Sequence, residues 1–305
     1  MANLREISHR MSSIRSTMQI TRTMEMISTA RIQRALQRAE EAGPYKDAIT
    51  NILANVAAAS SLSEYPLLIQ RPQEQSVLFV LIASDRGLAG GFNIVPQREV
   101  EREMQKLASQ GKKTSVITCG RKPTEYFTYR KMIPALSFVG ISAEPTRDEA
   151  ERIASYVMDS YSSGRVDRVV IKYWHAKNRM EQELVTEQLL PLSRESLMMP
   201  NAPRDPEAMG EVAVKRYPDF TFEPSASEVL GYLIPSYIRT VIYHALLDSA
   251  AAEHGARRRA MQSATDNAEE VLSGLERTYN RVRQSSITTE LNEIIGGAAA
   301  LEESD

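Results

Sequence analysis

Little in this sequence could staple a fold covalently or anchor it in a membrane. There is one cysteine, Cys119, which excludes an internal disulfide and fits a reducing compartment. Aromatic residues make up 6% of the chain, with a single tryptophan against thirteen methionines, a balance that suits helix seams better than sheet cores. Neither charge sign dominates, and a net charge of -2 leaves no overall nucleic-acid footprint. No apolar run reaches the ~20 residues of a membrane-spanning helix, and no signal peptide is expected ahead of the chain. Any membrane link is therefore expected to pass through a protein partner. His9, His175, His244 and His254 stand apart, with no metal-ligand spacing, and no Gly-x-Ser-x-Gly elbow or readable nucleophile–base pair is present. The expectation is a chain without metal, cofactor or catalytic residues.

Proline is missing from a further place, the whole stretch 236–301. Apolar residues recur there at Leu233, Tyr237, Val241 and Ala245, then at Ala264, Ala268, Val271, Leu275, Thr278 and Val282. Steps of three and four predict one long helix laid against another. About 70 residues at 1.5 Å each would extend roughly 100 Å, so the helix needs a partner. The first 60 residues supply it. Ile7, Met11, Ile14, Met18 and Thr21 mark one face, and Ile20, Met24 and Ile27 start a second beside it, which predicts contact on more than one side. The other faces carry Arg5, Arg10, Arg15, Arg22, Arg31, Arg34 and Arg38, suited either to solvent or to an acidic partner. Gly43-Pro44 is expected to interrupt this helix.

The middle follows another pattern. Residues 77–83 form a continuous apolar run, as in a buried strand. It ends in the turn Ser84-Asp85-Arg86-Gly87-Leu88-Ala89-Gly90-Gly91-Phe92-Asn93. Helical and strand patterns alternate from there: a helix through Val100 and Met104, strands near 114–119 and 135–139, a Thr146–Glu149 capping box opening a helix, and strands near 166–174 and 184–190. The alternation predicts an α/β layer domain over 75–192. A proline-dotted connector spans 193–224 and leads into the C-terminal helix of 225–305, while 1–60 forms the N-terminal helix. The turn holds Gly87, Gly90 and Gly91 but lacks a dinucleotide fingerprint or a Gly-Lys-Ser/Thr, so a tight strand-to-helix turn explains it better than a phosphate cradle. Asp85 and Arg86, expected to be exposed, could equally serve a protein contact.

Several stretches then carry a resemblance. Residues 18–31 (Met18-Gln19-Ile20-Thr21-Arg22-Thr23-Met24 and onward to Arg31) resemble the first helix of F-type ATP synthase gamma subunits. Pro44-Tyr45, the Ser84–Asn93 turn, Gln188-Leu189-Leu190-Pro191-Leu192, Ala264-Thr265-Asp266-Asn267-Ala268 and 283–301 are similar to further stretches of that family. The resemblance covers nearly the whole chain. It implies an α/β domain with a Rossmann-like mixed sheet plus a long antiparallel coiled coil formed by the two terminal helices. It also implies a non-catalytic rotor turning inside a ring of three alpha and three beta subunits, with the α/β domain near epsilon and the c-subunit ring, on the cytoplasmic face of a bacterial plasma membrane. Carried over position by position, Met24, Arg283, Gln284 and Thr288 are expected to meet beta. Phe220, Phe222 and Glu223 form a foot for the c ring and epsilon, and Asp85, Arg86, Gly87, Gly90 and Gly91 belong to the internal motif.

The chain departs from the family at Ala89, where many members carry cysteine, at Ser76 and Ser225-Ala226-Ser227, and at Gly255, more often alanine. The regulatory cysteine insertion and transit peptide of chloroplast members are not expected here. Two other readings stand beside the rotor: a dinucleotide-binding enzyme with helical arms, and a coiled-coil nucleic-acid binder using the arginine face. The family resemblance favours the rotor, with no nucleic-acid partner.

Overall fold

The computed structural model describes residues 4–59, 65–192 and 226–302. Phe220, Phe222, Glu223 and the connector expected at 193–224 lie outside the described residues. In chain order the elements are α1 (Leu4–Ala59), β1 (Ser76–Ile82), α2 (Ile94–Ser109), β2 (Lys113–Cys119), α3 (Arg121–Tyr129), β3 (Leu136–Phe138), α4 (Arg147–Ser162), β4 (Arg168–Ala176), β5 (Gln182–Leu190) and α5 (Ala226–Glu302). This is the expected fold class: a mixed sheet with covering helices, framed by two long terminal helices. The chain divides into two compact units, Met1–Ser28 with Arg258–Asp305, and Thr29–Arg257.

The unit Thr29–Arg257 is built on a five-stranded sheet in the order β3-β2-β1-β4-β5. The pairs β1–β2, β1–β4 and β2–β3 are parallel and β4–β5 is antiparallel. The unbroken apolar run of β1 follows from burial on both faces. Leu78, Val80 and Ile82 point into a core shared with Ile153 and Val157 of α4, Ile49, Leu53 and Val56 of α1, and Leu230, Ile234, Ile238 and Ile242 of α5. Val77, Phe79 and Leu81 point the other way, against Val100 and Met104 of α2 and Phe127 of α3. The Thr146 capping box forms: Glu149 N donates to Thr146 Oγ1 at 3.4 Å, and Thr146 N donates to the Glu149 carboxylate at 2.7 Å.

The expected break at Gly43-Pro44 does not occur; α1 runs through Pro44 without interruption. Proline removes one N–H and crowds the preceding turn, at a cost of ~3 kcal/mol. Pro44 and Glu40, whose carbonyl loses its donor, are exposed, so water can satisfy that carbonyl. On the opposite side Ala42, Lys46, Ile49, Leu53 and Val56 continue the buried or half-buried stripe in steps of four and three. Packing thus overrides the local penalty.

In the unit Met1–Ser28 with Arg258–Asp305, the two helices run antiparallel. The Thr21 and Thr265 hydroxyls meet at 2.7 Å, and Arg15 reaches Glu276 at 2.8 Å, so rising numbers on α1 face falling numbers on α5. The α1 stripe is the expected one: Ile7 and Thr21 are buried, and Met11, Ile14 and Met18 half-buried. The α5 stripe is as expected at Ala264, Ala268, Leu275, Thr278 and Val282, all buried or half-buried, and differs at Val271. Met261, Thr265, Ala268, Leu272, Leu275, Tyr279, Val282 and Ser286 are also buried or half-buried and follow steps of four and three, whereas Val271 is 49% exposed. The expected sequence of positions took Val271 where Leu272 faces inward. The 3.5-residue period is that of a left-handed coiled coil.

Candidate functional site

Two kinds of site emerge, the turn after β1 and the exposed faces of the helix pair. The turn begins where parallel strands end, the place where open α/β sheets bind ligands. Asp85 is half-buried and faces inward, against the expectation of an exposed group. Its Oδ1 accepts from Arg121 N at 2.8 Å and Gly140 N at 2.7 Å, and its Oδ2 from Ser142 N at 2.9 Å. Asp85 N in turn donates to Ser142 Oγ at 3.0 Å. Burial alone would raise this carboxyl's pKa, but the donors from Gly140, Ser142 and Arg121 outweigh it and hold it below the ordinary value. One carboxylate thus ties the end of β1 to the segments that follow β2 and β3.

Asn93 closes the other side of the turn. Its Oδ1 accepts from Ser84 N at 2.9 Å, and its Nδ2 donates to Arg86 O at 3.2 Å. Gly120 approaches so closely that a Cβ there would lie 2.6 Å from Ala83 O, and its φ of 116° is one that side chains rarely adopt. Between these clamps Arg86, Gly87 and Leu88 project into solvent, Leu88 with φ of 62° and 65% exposed. Gly90, also at positive φ, and Gly91 are exposed, while Ala89 and Phe92 are buried. The glycine turn is therefore a braced knob.

The crevice between β1 and β4, where strand order reverses, is filled by the chain itself. Phe92 stacks on Trp174 with centroids 6.1 Å apart, and Trp174 Nε1 donates to Phe92 O at 2.8 Å. Ala252 and Ala256 of α5 complete that cluster with Ala89. Arg257 pairs with Glu253 at 2.7 Å, both buried, and extends to Gly87 O at 3.4 Å. Burial raises the Glu253 carboxyl's pKa in spite of Arg257. The small side chains on α5 let it pack closely against this cluster. Cys119 is fully buried, and burial pushes its thiol up, so it stays protonated.

Of the scattered histidines, His175 acquires a side-chain partner, whereas the buried Nδ1 atoms of His244 and His254 have no hydrogen-bond partner. His175 Nδ1 pairs with Asp248, whose Oδ1 also accepts from Ala176 N at 2.9 Å, pinning the end of β4 to α5. His254 is held down to about 4, first by burial and then by the Arg257 and Arg31 guanidiniums. His244 is held down to about 4 by burial and Lys46, against the pull of Asp248. Asn93, Ser142, Trp174 and Arg257 carry no local sequence signal of these roles. Polar residues around a glycine turn at the end of an apolar strand were the available hint.

On the helix pair, Met24 is half-buried between Ile20, 60% exposed, and Ile27, 50% exposed. The second stripe of α1 is thus only partly covered by its own chain. Arg283, Gln284 and Thr288 are exposed on α5, with Thr288 Oγ1 donating to Gln284 O at 3.0 Å. Ile287, Leu291, Ile294 and Ile295, 49–68% exposed, lie alongside or beyond. Met24 stands three positions from Thr21, which touches Thr265; the 18 residues from 265 to 283 advance α5 by roughly 27 Å. The fold therefore gives two separate exposed surfaces, not one.

A family model described as ATP synthase matches residues 3–301. The chain is 39% identical to the ATP synthase gamma chain of Pelotomaculum thermopropionicum over 302 residues, covering 99% of this chain and 100% of the relative. It is 37% identical to that of Symbiobacterium thermophilum over 301 residues, covering 98% and 99%. Among solved structures, a chain of the Euglena gracilis mitochondrial ATP synthase, OSCP/F1/c-ring, aligns with TM-score 0.64 at 19% identity, over 98% of this chain and 94% of that one. A chain of the Tetrahymena thermophila mitochondrial ATP synthase, central stalk/c-ring, aligns with TM-score 0.57 at 23% identity, over 80% and 99%. Among the described residues no helix is long and apolar enough to cross a membrane.

Proposed function

The chain belongs to the ATP synthase gamma-chain family, and on that premise we propose that it is the non-catalytic rotor of the complex, its central stalk. The observation that carries the proposal is the antiparallel seam between head and tail, marked by the Thr21–Thr265 and Arg15–Glu276 contacts. Twisting such a pair strains many packed contacts at once, so torque applied at one end reaches the other. The three alpha and three beta subunits surround the helix pair, and the catalytic groups are theirs. Ion flow through the c ring supplies roughly 2.3 kcal/mol per charge per 100 mV, which the helix pair delivers to the beta sites.

Met24 and its neighbours Ile20 and Ile27 meet the lower beta loops. Arg283, Gln284 and Thr288 meet beta loops farther along the seam. Exposed polar groups there give weak, repeatable contacts, as a turning part requires. The Arg86–Leu88 knob is a protein-contact surface, and Phe220, Phe222 and Glu223 meet the c ring and epsilon. The protein is peripheral at the cytoplasmic face of a bacterial plasma membrane, held there by partners, a reading supported by its bacterial relatives. Reconstitution with alpha and beta tests this. ATP hydrolysis by alpha and beta should rise strongly when the chain is added and co-elute with it. A chain that neither joins the assembly nor changes hydrolysis, and instead binds a dinucleotide, would overturn the proposal.

A further inference from the structure

The Asp85 clamp has the form of an anion site. Three main-chain N–H groups, from Arg121, Gly140 and Ser142, converge within 2.9 Å on one carboxylate. They come from the first turn of α3 and from the segment after β3, outside the carboxyl ends of parallel strands. Converging backbone donors favour a negative group, and bonds to an ionised acceptor are the stronger kind. In sheets of this topology that region commonly receives the phosphate of a ligand. Here the anion is a side chain one residue beyond Ser84, on the same turn.

We propose that the amides of Arg121, Gly140 and Ser142 form an anion-binding site whose resident ligand is the chain's own Asp85 carboxylate, and that the vacated site takes a small monovalent carboxylate. The site is thereby closed from within, while Phe92, Trp174, Ala252 and Ala256 close the neighbouring crevice. The ligand-binding end of the sheet becomes a brace for the exposed Arg86–Leu88 knob. This goes beyond the rotor reading and does not depend on it.

Two variants of the full-length chain test the inference, read by hydrogen exchange of the three amides. Asp85→Ala removes the carboxylate and leaves its space. All three amides should exchange about tenfold faster or more, the scale of one lost charge-assisted hydrogen bond. Formate should restore protection in a saturable way, and chloride at equal ionic strength should not. Equal effects of formate and chloride would overturn the proposal. Asp85→Asn keeps the shape and guards against a variant that does not fold. Its single oxygen can still accept from Arg121 and Gly140, but its NH2 faces the Ser142 N–H, donor against donor. Ser142 should then lose protection selectively, with no response to formate. Uniform protection of all three amides in Asp85→Asn would show that the carboxylate's charge and second acceptor are not what the site holds, and would also overturn it.

Discussion

The two units of the molecule hold themselves together by different means. In Thr29–Arg257, β1 is buried on both faces, with Val80 and Leu81 at 0% exposure and Phe79 at 1%. In the helix pair, burial is one-sided. Ile7, Thr21, Ser28, Met261 and Ala268 are buried, most other seam residues are half-buried, and large apolar groups such as Ile20, Ile27, Ile294 and Ile295 stay in solvent. The strands of the sheet unit satisfy their apolar surface internally, although the unit also exposes Leu88, Tyr129, Ile133 and Tyr232. The helix pair leaves part of its own unsatisfied, as expected of a surface that works against other subunits. Its core also admits polar groups: Thr21 and Thr265 pair with each other, and each also reaches a carbonyl of its own helix, Met18 O at 3.0 Å and Met261 O at 2.9 Å. A hydroxyl with two acceptors in reach tolerates small movements that a tightly interlocked apolar side chain resists.

The contrast predicts unequal responses to mutation. Phe79→Ala should cost about 3–5 kcal/mol, because a fully packed site cannot collapse around the void. Chemical denaturation of the full chain would measure it, and a cost below about 1 kcal/mol would mean that the sheet is not the dense partner in this comparison. Gly120→Ala should cost about 2 kcal/mol or more, since the added methyl meets Ala83 O at 2.6 Å and the backbone must leave its positive φ.

The helix pair should respond more mildly and in register. Leu272→Ala, half-buried in the seam, should cost about 1–2 kcal/mol, whereas Val271→Ala, 49% exposed, should stay within ~0.5 kcal/mol of neutral. The reverse order would restore the stripe first expected from the sequence. Gly255→Ala should stabilise by up to about 1 kcal/mol, because a Cβ there meets only Arg179 O, at an unstrained 3.7 Å, and alanine favours helix.

Acid should act on the sheet unit through its histidines. His244 and His254 are held at about 4 in the fold, below the ordinary 6.5, so folding favours their neutral forms. That stability is fully present above pH 6.5 and is lost as pH falls toward 4. His254→Leu should flatten the loss in a pH series of thermal melts; an unchanged slope would remove His254 from the explanation.

What was legible in the sequence follows the range of the forces involved. The apolar run of β1, the Thr146–Glu149 box and the α1 stripe are written in neighbouring residues, and each formed where expected. Pro44 misled because its penalty is local while the packing of Ile49, Leu53 and Val56 is tertiary. The α5 stripe slipped at Val271 because Leu272 and Val271 are equally apolar, and only the partner helix decides which faces inward. Asp85 was legible as part of a motif but not as a clamp, because its donors lie 36 to 57 residues away in sequence. Arg283, Gln284 and Thr288 were legible only by resemblance, since an exposed polar face carries no local sign of a partner.

The central claim is that the helix pair passes motion to other subunits through surfaces such as the one around Met24. Proton translocation per ATP hydrolysed, measured in vesicles holding the complete complex with Met24→Lys, tests it most directly. The account predicts that the altered chain still assembles and supports hydrolysis while the ratio falls several-fold. An unchanged ratio would contradict it.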